Sequence, residues 1–120
     1  MAQYMLLIYA DEAGYADVTP EQWGEMAKEH LTFQEKVTAQ GAKVLSGEGL
    51  APTAAATTVR SDGAGSFLVT DGPFAETREA LGGYYLLEAS DLDQALEFAK
   101  LCPAYGGGVE VRPVMNSSGG

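Results

Sequence analysis

The run Gln3-Tyr4-Met5-Leu6-Leu7-Ile8-Tyr9 decides the fold. Read as a strand, it puts Tyr4, Leu6 and Ile8 on one face and Met5, Leu7 and Tyr9 on the other. Neither face is polar, which is the pattern of a central strand covered on both sides. A chain of 120 residues has room for one domain. The elements that follow supply two helices, enough to cover one face of a sheet. The second face calls for a second copy of the chain. The run therefore predicts a homodimer with sheets facing each other, and a ligand cavity between sheets and helices.

After a polar segment, Ala10 to Val18, comes a well-marked helix start. Thr19 is placed to cap, Pro20 takes the first helical position, and Gln22 completes a capping box. The helix is predicted over 20–40, ending at Gly41. Its inward arc carries Trp23, Met26, Ala27, His30, Phe33, Gln34 and Val37.

Residues 43–49 read as a strand that Gly47 and Gly49 weaken or bulge. Ala51 to Ala56 reads as a loop. Segments 57–60 and 66–70 flank a hairpin turn, Ser61-Asp62-Gly63-Ala64-Gly65. Asp71-Gly72-Pro73-Phe74 makes a second turn, and Gly82-Gly83 leads into a strand over 84–88. Ser90 is placed to cap a helix over 91–101, with Leu92, Ala95, Leu96 and Ala99 as its buried stripe. A last strand over 109–115 contains Pro113, which marks an edge. The order β-α-β, hairpin, β-α-β predicts an α+β domain over residues 1–115, a ferredoxin-like split βαβ with a hairpin insert. Residues 116–120 are expected to be a disordered tail.

Acids outnumber bases 17 to 7, a formal charge of −10. That balance argues against nucleic acid and anionic membranes as partners. No stretch approaches the about 18 apolar residues of a membrane span. The first cation is Lys28, so no charged leader precedes the first strand and a cytoplasmic location is expected. The lone Cys102 fits a reducing compartment and reads as a small apolar filler. One histidine and one cysteine leave no ligand set for zinc, and no glycine-rich nucleotide fingerprint opens a helix. Neither a metal nor a cofactor is expected.

His30 is the first candidate for chemistry: the sole histidine, titrating near neutrality and facing inward. The plainer reading is a neutral core histidine hydrogen-bonded to Gln34, one turn on. Asp71 sits in the most distinctive tetrapeptide. Its turn is fully explained by Asx, glycine and proline chemistry, or else it sets Asp71 at a cleft mouth beside Glu76, Arg78 and Glu79. Arg78 either neutralises these acids or clamps an anion. Tyr84 and Tyr85 point to opposite faces, one toward the core and one toward the intersheet surface. Arg112 is a costly buried charge if it faces the cavity and ordinary if it faces solvent.

Asp71-Gly72-Pro73-Phe74-Ala75-Glu76-Thr77-Arg78-Glu79, followed by Leu81-Gly82-Gly83-Tyr84-Tyr85, resembles the signature of DGPF-type, YciI-like (YCII-related) proteins. Tyr4 to Tyr9, Ala56 to Arg60 and Val109 to Pro113 extend the resemblance over nearly the whole chain. The resemblance implies a ferredoxin-like fold that dimerises as an α+β barrel. It implies a His–Asp pair in the intersheet cavity as catalytic element, and relatives that act as lyases or dehydrochlorinases on small ring compounds. His30-Leu31 resembles the family's His-Leu in the first helix; Glu48 and Asp71 are both open as its acidic partner. DGPF-type proteins also often accompany extracytoplasmic-function sigma factors.

Two functions follow as expectations. One is a small-molecule enzyme with His30 as acid or base, held by Asp71 or Glu48, and with Glu76, Arg78 and Tyr84 as binding residues. The other is a non-catalytic dimer that binds a ligand or a sigma-factor-related protein through the edge made by Asp71, Glu76, Arg78 and Glu79.

Overall fold

A computed structural model describes residues 1–115, so the expectation for the 116–120 tail lies outside the described residues. Among the described residues, six strands and two α-helices follow one another. They are β1 (Ala2–Asp11), α1 (Pro20–Ala39), β2 (Lys43–Gly49), β3 (Thr57–Ser61), β4 (Phe67–Asp71), β5 (Glu79–Ala89), α2 (Leu92–Leu101) and β6 (Gly108–Pro113). Short 3-10 turns at Glu12–Tyr15 and Thr53–Ala55 punctuate the two loops read as irregular. The architecture is α+β: a four-stranded antiparallel sheet in the order β2-β5-β1-β6, and a separate two-stranded ribbon, β3-β4.

β1 is central, pairing β5 on one side and β6 on the other. Its alternation is as expected. Tyr4 and Leu6 turn to the helices and are buried, with Leu6 fully enclosed. Phe33 and Val37 of α1 and Ala95 and Phe98 of α2 close over them, together with Tyr85 and Leu87 of β5. On the opposite face Met5, Leu7, Tyr84 and Leu86 stay half-exposed. The molecule is 18 Å thin along its shortest axis, the depth of one sheet under one helix layer.

α1 begins as the sequence predicts. Thr19 Oγ1 accepts from Gln22 N at 3.2 Å, and Gln22 Oε1 accepts from Thr19 N at 2.9 Å, so two otherwise unpaired donors are satisfied reciprocally. The helix stops before Gly41, whose φ of 79° lies in the left-handed region glycine tolerates.

Four details differ from expectation. β5 starts at Glu79, so Gly82 and Gly83 lie inside the strand; the register slips there against Ile8 and Tyr9, a bulge that a glycine pair accommodates. α2 is capped by Asp91, which accepts from Gln94 N at 2.8 Å, while Gln94 Oε1 accepts from Ser90 N. Its buried stripe centres on Ala95 and Phe98, with Leu92 and Leu96 exposed. β6 spans Gly108–Pro113 and ends where Pro113 removes a donor.

The β3-β4 ribbon stands apart from the core. Val59, Phe67, Leu68, Val69 and Phe74 are each more than half exposed. The Asp71 turn folds back on β3: Gly72 N donates to Ala56 O at 2.8 Å, and Thr58 Oγ1 donates to Gly72 O at 2.7 Å. Arg60 Nη2 donates to Phe74 O at 2.8 Å with its guanidinium 4.1 Å above the Phe74 ring.

Candidate functional site

Glycines create the site. Gly47 and Gly49 of β2 and Gly82 and Gly83 of β5 leave no side chains under the N-terminal half of α1. Trp23, Met26, Ala27 and His30, expected to pack inward, therefore overhang a cavity of about 610 Å³ rather than a filled core. That volume suits a small molecule.

His30, half-buried, lies on the cavity wall. Its Nδ1 is 2.8 Å from the Oη of Tyr85. Gln34 Nε2 donates to the same Oη at 3.4 Å, so Gln34 reaches His30 through the tyrosine rather than directly. The Tyr85 ring packs against Phe33 of α1, with centroids 4.8 Å apart, and lies close over Gly47 of β2. A Cβ at Gly47 would stand 2.5 Å from Tyr85 Cδ1, which is why that position carries none. Burial lowers the pKa of His30, and the nearby Glu29 charge opposes this in part. Burial likewise raises that of Tyr85. Both groups are thus held neutral near neutral pH.

The cavity mouth is aromatic. Tyr15 stacks on Trp23 with centroids 5.6 Å apart, and Tyr105 meets Tyr15 edge-on at 6.5 Å. Tyr105 Oη donates to Glu29 Oε2 at 2.8 Å. Burial, with that carboxylate, raises the Tyr105 hydroxyl above its ordinary pKa. Glu12, also on the wall, accepts from Thr53 N at 2.8 Å and from Thr53 Oγ1.

Of the residues singled out in the sequence, His30 is on the wall of this cavity, and Glu48 and Tyr84 border it along their strands. Glu48 and Tyr84 are register partners. Alternation turns their side chains away from Tyr85, to the other face of the sheet. Asp71 ends the ribbon and Glu76 is exposed beyond it; neither belongs to the wall. Arg78 reaches Asp11 at 3.1 Å and is itself highly exposed. Arg78 and the Ala13 N–H hold the Asp11 carboxyl below its ordinary pKa. Arg112 faces solvent and pairs with Glu110. Cys102 is buried beside α2, and burial pushes its thiol up to about 12. Among the described residues no three His, Cys, Asp or Glu side chains converge as metal ligands would.

Tyr85 is the partner that sequence reasoning missed. Its signal was present in Gly47 and the Tyr84-Tyr85 alternation, but only the strand register says which tyrosine faces the helix.

An antiparallel sheet under one helix layer, with the chain's single histidine on a cavity wall, defines a small α+β domain. The match to the YCII-related domain model runs over residues 2–118, and the chain belongs to that family. It is 40% identical over 97 residues to an uncharacterized protein of Rhizobium meliloti (strain 1021), covering 81% of this chain and 77% of the relative. No helix of the described residues is long and apolar enough to cross a membrane.

Proposed function

We propose that the chain is the ferredoxin-like half of a homodimeric α+β barrel, and that the dimer is a small-molecule enzyme whose acid/base group is His30 partnered by Tyr85. The observation that carries this reading is the 2.8 Å His30–Tyr85 hydrogen bond on the wall of a cavity of about 610 Å³. The bond has two proton arrangements. With the tyrosine hydroxyl donating, Nε2 carries the proton and donates a hydrogen bond to a bound molecule. With Nδ1–H donating, Nε2 is bare and serves as a base. A neutral imidazole supplies either form at neutral pH, and Tyr85 with Gln34 fixes the ring. The half-exposed apolar face of Met5, Leu7 and Leu86 supports assembly with a second copy.

The test is a screen of small cyclic compounds for binding, then turnover by the wild type, His30→Gln and Tyr85→Phe. Turnover abolished by His30→Gln and reduced by Tyr85→Phe is expected. Hits that bind equally to all three proteins and are never converted would contradict the proposal.

One observation favours the other reading, a binding or regulatory dimer. The β3-β4 ribbon exposes Phe67, Leu68 and Val69, and a two-stranded ribbon is marginal in water on its own. In that reading the ribbon, with Asp71, Glu76 and Arg78 at its base, is a surface for a protein partner such as a sigma-factor-related protein. Loss of every captured partner on joint substitution Phe67→Ser and Arg78→Glu is its expected signature.

A further inference from the structure

We infer that the cavity selects an organic cation, a small molecule carrying an ammonium or similar positive group beside a ring or apolar body. This rests on the cavity being the binding site, as proposed above. Three observations support the class.

The first is the absence of any counter-charge for an anion. None of the chain's seven lysines and arginines contributes to the wall, whereas Glu12 does. An anion would enter against a protein of formal charge −10 with nothing at the site to offset its desolvation.

The second is the mouth itself. Tyr15 contacts both Trp23 and Tyr105 at the opening, and Trp23 remains 51% exposed there. A surface indole held in a stack but left half-open offers its π-face to a ligand. Aromatic faces carry partial negative charge and attract cations.

The third is Glu29. It is tied to the Tyr105 hydroxyl rather than to a lysine or arginine. By accepting a hydrogen bond from that hydroxyl it increases electron density on the Tyr105 ring. A cation at the mouth thus meets ring faces that Glu29 makes more electron-rich, while the neutral His30–Tyr85 pair sits deeper and adds no positive charge.

The experiment uses three para-substituted phenols of three charges: (para-hydroxyphenyl)trimethylammonium, its uncharged isostere para-tert-butylphenol, and the smaller anion para-hydroxybenzoate. Trp23 is the only tryptophan, so its fluorescence reports binding at the mouth, and the single histidine reports binding in the cavity by NMR. The cation is expected to bind about tenfold more tightly than the isostere, the scale of a desolvated cation–π contact. The anion is expected to bind more weakly than either. Trp23→Leu is expected to lower affinity for the cation by a larger factor than for the isostere. Equal binding of cation and isostere, with equal shifts of the His30 signals, would overturn the ligand class and leave the cavity reading standing. Tighter binding of the anion would do the same. Failure of all three probes to move the His30 signals would overturn both.

Discussion

The Nδ1 of His30, in the middle of α1, lies 2.8 Å from the Oη of Tyr85, 55 residues further along the chain on β5. No turn or local motif joins them. They meet because β5 lies between β1 and β2 in the sheet and α1 packs across that sheet. The bond matters chemically because it ties the orientation of the only histidine to the packing of the core. Tyr85 is 6% exposed and rests on Phe33, so the imidazole is positioned by groups that cannot move independently.

That dependence gives a prediction at Gly47. A methyl group there would collide with Cδ1 and Cε1 of Tyr85, at 2.5 and 2.8 Å, and meet the Tyr84 carbonyl at 3.0 Å. The ring is confined and cannot yield without cost. Gly47→Ala is expected to destabilise the fold by about 1–3 kcal/mol, the range for overpacking. It is also expected to change the NMR environment of His30, although the substituted residue lies on a different strand. Denaturant unfolding and a histidine-selective spectrum check both; an unperturbed histidine would show that Tyr85 does not couple the two.

The pH dependence of stability has a definite sign. Burial puts the folded pKa of His30 below its ordinary value of 6.5. Between those two values the unfolded chain binds more protons, so stability rises with pH there. The contribution of neutral His30 is complete above about pH 6.5 and is lost as pH falls through that window toward the folded pKa. Urea midpoints measured from pH 7.5 down to 5 are expected to fall more steeply for the wild type than for His30→Gln. Parallel curves would show that His30 is solvated in the folded state.

Assembly is tested on the open face of the sheet. Leu7 stands opposite Tyr84 and Glu110 in the register and is half-exposed. The wild type is expected to be a dimer at micromolar concentration by light scattering. Leu7→Glu is expected to be a folded monomer, because it replaces an apolar contact of the proposed interface with a second carboxylate opposite Glu110. A wild-type monomer, or a Leu7→Glu dimer of undiminished stability, would contradict assembly through this face.

The α1 cap shows the cost of a local signal that sequence reads well. Thr19→Ala removes the acceptor for Gln22 N and is expected to lower stability by about 1 kcal/mol. Thermal unfolding measures it, and an unchanged midpoint would mean that water replaces the cap.

How far the molecule is legible in its sequence depends on how local the determining contact is. The bounds of α1 and β2, the hairpin and the two-faced strand β1 follow from caps, turns and alternation, and all are written within a few residues. The start of β5 is not, because Gly82 and Gly83 look like a loop until β1 is present to pair with them. Asp91 displaces Ser90 as the α2 cap because Gln94 donates its backbone N–H to the first and accepts from the second, a choice that neighbouring cap-forming residues do not reveal. His30 could be read as inward-facing, but its partner could not. Only the register of β2 on β5 sets Gly47 beside Tyr85 and turns Tyr84 away. The Asp71 turn reads from its residues either as a plain structural turn or as a cleft-mouth carboxylate; its contacts to Ala56 and Thr58, which join it to the ribbon, depend on pairing that no local motif reveals.

The central claim is that His30 is a neutral, half-buried acid/base group held by Tyr85. Nitrogen-resolved NMR of the single histidine, followed across pH in the wild type and in Tyr85→Phe, tests it most directly. The account predicts a wild-type pKa below 6.5 and an Nδ1 signal that moves when the tyrosine hydroxyl is removed. A pKa at the ordinary 6.5, with nitrogen signals identical in the two proteins, would contradict it.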